Sequence, residues 1–247
     1  MSSGHAPFFE RTALLLGEPA LRSLRARHVF IAGLGGVGSF AAEAVARAGI
    51  GRISLLDHDV VAPSNLNRQL VALRSTVGQP KAEIMRARIA DIDPEIEVQV
   101  CTDFLNPDNA LERVPADADW VIDCIDSIAC KAAMVAGSLA RGQCVISALG
   151  AGGRTDPTRV RVGLLSETRI CPLAREMRKR MRRLDASLDY PVVYSLEEPR
   201  KGTEHRPLDG PVGGRARSVN GTISYLPALF GLTAAGWVIR ELLDARG

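Results

Sequence analysis

The 247-residue chain reads as an α/β protein: a doubly wound, mostly parallel sheet with an appended C-terminal strand and helix region. Two observations predict this. Short apolar runs alternate with helix-forming stretches as far as residue 150, the pattern of strands covered by helices on both faces. In addition, Gly33-Leu-Gly-Gly-Val-Gly-Ser39 stands between an apolar run and an Ala-rich stretch, where a strand must turn sharply into a helix.

The elements follow in order. Residues 14–27 form a helix, and residues 28–32 a short buried strand that enters the glycine loop. Residues 39–48 are rich in helix formers, and Gly49 and Gly51 stop them. Residues 53–56 make a second strand with Asp57 at its C-terminal end, the end where ligands bind in open α/β sheets. A helix over 81–91 closes before Pro94, residues 96–101 alternate as a half-buried strand, and 107–113 form a helical piece. An apolar strand at 120–125, a helix at 129–141 and a strand at 144–149 complete this part. After a glycine turn at 150–153, residues 159–165 alternate as a strand.

Residues 172–184 place Leu173, Met177, Met181 and Leu184 on one helical face, and Arg175, Arg178, Lys179, Arg180, Arg182 and Arg183 on the rest. Residues 197–217 are a long Pro-, Gly- and charge-rich connection, of a length usually functional or disordered. The apolar stretch 226–239 is short of a bilayer span and reads as a buried helix. No linker divides the chain, so residues 1–247 are one expected domain: a nucleotide-binding core (1–150) and a substrate-facing C-terminal region (151–247).

Hydrophobic residues make up 46% and charged residues 24%, an ordinary water-soluble balance. The net charge of +3 conceals an asymmetry: residues 1–150 carry 14 Lys/Arg against 17 Asp/Glu, whereas 151–247 carry 17 against 11. The C-terminal region therefore favours a polyanionic partner. Five scattered cysteines suit reduced thiols in a cytoplasmic protein, and without a Cys-x-x-Cys pair a four-cysteine zinc site is excluded. The first 18 residues lack the pattern of a secretory signal, and no stable membrane insertion is expected.

Gly33, Gly35, Gly36 and Gly38 let the backbone approach a phosphate, while the following helix start supplies free N–H groups. Asp57 is placed to accept ribose hydroxyls, and Asp59 either caps the next turn or assists at the nucleotide. A dehydrogenase would need no more than this, and the chain offers no motif for hydride transfer. Here, however, Asn65, Arg68 and Gln69 form a polar set at helical spacing that can face the β- and γ-phosphates. Lys81 opens a helix, an unfavourable place for a cation unless an anion sits there. The strand Val121-Ile-Asp-Cys-Ile-Asp126 ends in an acid suited to Mg²⁺ shared with phosphate oxygens, whereas Asp123 reads as a hydrogen-bonded core acid.

Taken together, Gly33 to Ser39, Asp57-His-Asp59, Ser64 to Gln69, Gly78-Gln-Pro-Lys81 and Asp123-Cys-Ile-Asp126 resemble the ThiF/MoeB superfamily of adenylating enzymes. The resemblance implies a Rossmann-like fold with ATP and Mg²⁺. It assigns Gly35, Gly36, Asp57, Asn65, Arg68, Gln69 and Lys81 to the nucleotide and Asp126 to the metal. It also implies a homodimer in which Arg11, in Phe9-Glu-Arg11-Thr, crosses into the neighbouring site. Within the superfamily the chain is similar over nearly its whole length to the tRNA threonylcarbamoyladenosine dehydratase branch. The further matches are residues 9–17, Asp156-Pro-Thr158, Pro172-Leu-Ala174 with its basic helix, Val193-Tyr-Ser195 and the C-terminal apolar helix.

That branch activates the threonyl carboxylate of a modified adenosine beside the tRNA anticodon and closes it into a ring with loss of water. The implied partner is the tRNA anticodon loop, met by Arg175, Arg178, Lys179, Arg182 and Arg183. A sulfur-relay protein is a further partner the resemblance allows. Cysteines of some relatives are missing around 191–195 and 217–221, and Cys171 stands where many have an acid, which weakens a covalent-thiol role; Cys171 reads as a small packing residue before Pro172, the alternative being a nucleophile activated by the neighbouring arginines. Two other functions stay open: adenylation of the C-terminal carboxylate of a ubiquitin-like sulfur carrier, and nucleotide binding without turnover.

Overall fold

The computed structural model describes residues 7–200 and 221–245. Its helices are α1 (Glu10–Leu16), α2 (Glu18–Arg25), α3 (Gly38–Ala48), α4 (Lys81–Ile92), α5 (Ile128–Ala140), α6 (Pro172–Arg183) and α7 (Tyr225–Asp244). Its strands are β1 (His28–Ala32), β2 (Arg52–Leu56), β3 (Glu97–Cys101), β4 (Trp120–Asp123), β5 (Cys144–Ala148), β6 (Val160–Leu164) and β7 (Pro191–Ser195). The seven strands among the described residues join one sheet in the order β3-β2-β1-β4-β5-β7-β6. Every pairing is parallel except β6 with β7. The expected α/β class and mostly parallel sheet are borne out.

Alternation along each strand feeds two cores. Val29 and Ile31 of β1 face a layer containing α3, α4 and α7, while Phe30 and Ala32 face α5 and α6. Strand order reverses between β1 and β4, so the loops after these two strands flank the crevice that such a reversal opens. The two C-terminal strands extend the sheet beyond β5, with Val192 and Val193 pairing beside Ser147 and Ala148.

Helix α7 buries Leu226, Phe230, Ala234, Val238 and Leu242, a row at intervals of four. The helix comes close enough to α3 that a Cβ on Gly231 would strike the backbone of Val37 and Ala41. At 20 residues α7 is longer than its apolar stretch suggests, and by length and composition it could cross a bilayer. Its apolar row is instead packed against α3 and the sheet.

Four local expectations need correction. The N-terminal helix starts at Glu10 and is broken into two at Gly17, whose φ of 82° no α-helix can carry. Residues 107–113 make turns, because Asn106 Oδ1 accepts the Asp108 and Asn109 N–H groups and Asn109 Oδ1 accepts that of Asn106, all within 3.0 Å. Strand β7, short and led by Pro191, has no counterpart among the expected elements. In α6 the buried row is Ala174, Met177 and Met181; Leu184 falls beyond the helix and is exposed. Most of the expected long connection, residues 201–217, lies outside the described residues.

Candidate nucleotide-binding site

The glycine loop leaves β1 at Gly33, whose N–H donates to Leu56 O and whose φ is 85°. A side chain there would be strained twice, since a Cβ would also lie 2.9 Å from the Cys124 carbonyl oxygen. Gly36 is equally confined: a Cβ there would lie 3.1 Å from Pro227 and 3.3 Å from the Arg68 side chain. A Cβ on Gly35 would lie 3.7 Å from Gln69 Nε2, and Gly38 opens α3 against Gly33 and Cys124. Ser39 fixes the loop to the polar cluster: its hydroxyl donates to Gly35 O at 2.7 Å and accepts the Leu70 N–H at 3.2 Å.

Asp57 is buried just past β2 and braces this loop. Its Oδ2 accepts the Leu34 N–H at 2.6 Å and its Oδ1 that of Asp59 at 2.8 Å. Burial holds its carboxyl above the usual range, opposed by Lys81 and by these two N–H groups. Beside it the His58 ring meets Phe104 edge-on at 4.9 Å, and Phe104 is 68% exposed. Phe104 was not anticipated, because a single aromatic after a strand carries no signal of its own.

The polar cluster is a chain of turns in which Asn65 O accepts the N–H groups of both Arg68 and Gln69. The Asn65 side chain is spent on this turn, its Oδ1 accepting the Ala62 N–H at 3.1 Å. Gln69 is buried beside the glycine loop, and its Oε1 has no hydrogen-bond partner among the described residues. Arg68 lays its stem over Gly36 and donates Nη1 to Ser64 O at 3.0 Å and Asn67 Oδ1 at 2.8 Å. Desolvation by burial lowers the pKa of its guanidinium, and no carboxylate among the described residues pairs with it.

Lys81, at the start of α4, is buried and reaches Asp59 Oδ2 at 2.9 Å. The local conflict of a cation at a positive helix end is thus relieved by an acid of the chain. Asp57, His58 and Asp59 offer ligand atoms within 4.8 Å of one another, yet Asp57 is occupied by backbone donors and Asp59 by Lys81. Asp126, the acid the sequence offers for a metal, is exposed on the turn between β4 and α5 at the mouth of the sheet, where a carboxylate suits a divalent cation shared with phosphate oxygens. Asp123 is the expected core acid, paired with fully buried Lys131 at 2.6 Å. Lys131 was missed, although it is the lone charge in an apolar helix and such a charge requires a buried counter-ion. Burial pushes the neighbouring Cys124 thiol up to about 12, so it remains protonated.

Arg11 is exposed on α1, next to Leu14 and Leu15, which are 82% and 81% exposed. On α6, Arg175, Lys179, Arg182 and Arg183 are exposed, with Glu176 among them. Arg178 differs: its Nη1 donates to Thr168 O at 2.6 Å and to the Thr168 hydroxyl, closing the turn before α6. Cys171 is buried against the turn after β5, as a packing residue would be.

This geometry has known counterparts. The model of the ThiF family matches residues 9–246. The chain belongs to the ThiF family. Among ThiF-family relatives, the tRNA threonylcarbamoyladenosine dehydratase of Bacillus subtilis (strain 168) is 39% identical over 241 residues, covering 95% of this chain and 94% of that protein. The E. coli tRNA N6-threonylcarbamoyladenosine dehydratase TcdA, crystallised with ATP, superposes with a TM-score of 0.86 at 36% identity, covering 97% of this chain and 96% of that one. Its AMP complex gives a TM-score of 0.85 at 37% identity over 95% and 93% of the two chains.

Proposed function

We propose that this chain is an ATP-dependent tRNA threonylcarbamoyladenosine dehydratase acting through a carboxyl-adenylate. The observation that carries the chemistry is Arg68: its stem lies over Gly36, and its half-buried guanidinium has no carboxylate partner among the described residues, in a glycine-loop site that ends at Asp57. A cation so placed suits a polyphosphate. The choice of substrate is supported by near-complete coverage of dehydratases at 36–39% identity.

In this reading ATP lies across the mouth of the sheet. The base rests by His58 and Phe104, the ribose by Asp57, and the phosphates over the glycine loop at the start of α3. Gln69 offers its carboxamide, and Asn65 holds the turn that presents Arg68. Arg68 and Lys81 neutralise the charge that accumulates on the β- and γ-phosphates as pyrophosphate leaves. Lys81 then exchanges Asp59 for phosphate. Mg²⁺, held by Asp126, would supply charge neutralisation and alignment of the phosphate oxygens.

A carboxylate oxygen of the threonyl group attacks the α-phosphorus, and the bond to the bridging oxygen of pyrophosphate breaks. Intramolecular attack on the acyl-adenylate carbonyl then releases AMP, which carries away the carboxylate oxygen, and a proton is lost from the nucleophile. Ring closure thereby amounts to loss of water driven by ATP cleavage. Positioning does most of the work, and no external nucleophile is needed.

The exposed cations of α6 face the RNA backbone of the anticodon loop. The apolar residues around Arg11 supply the homodimer contact that would send this arginine into the neighbouring site. The tRNA substrate makes the cytoplasm its place of work. Mass spectrometry of nucleosides from threonylcarbamoyladenosine-containing tRNA incubated with protein, Mg²⁺ and ATP tests the proposal. The expected result is loss of one water, dependent on ATP. ATP binding without that loss, together with pyrophosphate release on adding a ubiquitin-like carrier, would favour the carrier adenylyltransferase instead.

A further inference from the structure

Lys131 is the only charged residue of α5, and its side chain is 0% exposed, as is that of its partner Asp123. Its Nζ donates to Asp123 Oδ2 at 2.6 Å and to the Ala148 carbonyl at 3.0 Å. Asp123 Oδ2 also accepts the Ser147 hydroxyl at 2.6 Å, and Oδ1 accepts the Ile125 N–H at 3.2 Å. One lysine therefore joins the ends of β4 and β5 to the beginning of α5. Residues 124–127, the turn between β4 and α5, are enclosed by these bonds.

That turn has two neighbours that matter. Its first residue forms the floor of the glycine loop: Cys124 N–H donates to Ala32 O at 2.8 Å, and its carbonyl excludes a Cβ from Gly33. Its third residue is Asp126, exposed at the mouth of the sheet. A sealed ion pair gives little net stability compared with apolar side chains of the same volume, because two charges must be desolvated. Its distinctive property is direction: the bonds to Ser147, Ala148 and Ile125 fix where the turn sits.

We propose that the Asp123–Lys131 pair is a positioning device for the proposed adenylation, holding the turn so that the Asp126 carboxylate meets the metal of the bound nucleotide. The inference rests on Asp126 as the metal ligand. It makes Lys131, Asp123 and Ser147 positioning residues that act through the turn, without contact to the substrate.

The decisive variant is Asp123→Leu with Lys131→Met, which replaces the pair by apolar side chains and leaves no charge unpaired. Ser147→Ala, a small change, serves as the second variant should the double substitution fail to fold. Binding of Mn²⁺ to the protein with a non-hydrolysable ATP analogue is followed by electron paramagnetic resonance, alongside metal-free binding of the analogue. Loss of the supporting bonds is expected to weaken Mn²⁺ binding about tenfold in the double variant. Ser147→Ala should shift it in the same direction by less, and in both variants the loss of Mn²⁺ binding should exceed any loss of metal-free analogue binding.

A folded double variant that binds Mn²⁺ as the parent does overturns the inference. If that variant does not fold, unchanged Mn²⁺ binding in Ser147→Ala overturns it. Asp126→Asn separates the two levels. Should Asp126→Asn leave Mn²⁺ binding intact, the metal assignment itself has failed and the inference falls with it. Weakened binding in Asp126→Asn with no effect of the double variant rejects the positioning role alone.

Discussion

Two lysine–aspartate pairs lie at the same end of the sheet, and their difference explains how one chemistry serves two purposes. Lys81 meets Asp59 at 2.9 Å and Lys131 meets Asp123 at 2.6 Å. Asp59 is 55% exposed, whereas Asp123 is sealed from water together with its lysine. Water can take over Asp59 when its lysine leaves, so Lys81 is free to exchange partners. Water cannot take over Asp123, so Lys131 is committed. Under the proposed function the first pair would hold a cation for the ligand, and the second would order the backbone that receives it.

The largest effect that tests this contrast is on stability. Lys131→Met alone strands the Asp123 carboxylate and should lower the unfolding free energy by about 3–5 kcal/mol. Lys81→Met leaves Asp59 in water and should cost about 1 kcal/mol or less. Urea unfolding of both variants measures the difference, and equal losses would erase the distinction between the pairs. On turnover the order reverses for the second comparison. Lys81→Met in the folded protein should slow pyrophosphate release from ATP about 10²–10³-fold, the usual loss on removing a charge-stabilising donor. A near-parental rate would remove Lys81 from the phosphate site.

The same division between committed and available charge runs through α6. Arg178 is engaged with Thr168, while Arg175, Lys179, Arg182 and Arg183 are exposed. Neutralising those four should weaken tRNA binding and flatten its dependence on salt by roughly one unit of slope for each phosphate left without its cation. Arg178→Ala should mainly loosen the entry to α6 and leave the slope unchanged. If Arg178→Ala alone reproduces the flattened slope, Arg178 and not the exposed four is the cation that faces the RNA.

Legibility in the sequence followed the same physical line. Strands β1, β2, β4 and β5 and the glycine loop are visible because burial on both faces demands continuous apolar runs, and a tight strand-to-helix turn demands glycine. The partner of each charge is not visible. That Asp59 would neutralise Lys81, that Asn65 would cap its own turn and that Thr168 would occupy Arg178 all depend on distances set by tertiary packing. Strand β7 was hidden because its pairing with β5 and β6 is remote in sequence and its five residues are too few for a clear period. Lys131 was legible in principle: a lone lysine in an apolar helix two turns after an acid-ended strand predicts an internal pair.

The smallest expected effect gives the sharpest reading of the exchange at Lys81. If Lys81 must leave Asp59 to reach phosphate, that contact opposes ATP binding by the net strength of a half-exposed pair, about 0.2–1 kcal/mol. Asp59→Asn removes the competing charge and should therefore tighten ATP binding by less than about fivefold. The gain should shrink as salt screens the exposed carboxylate in the parent protein. Titration calorimetry at low and moderate ionic strength distinguishes this from the opposite role. A weakened affinity in Asp59→Asn would mean that Asp59 serves the nucleotide directly or aims Lys81 at it, and the pair would then be a preorganised part of the site.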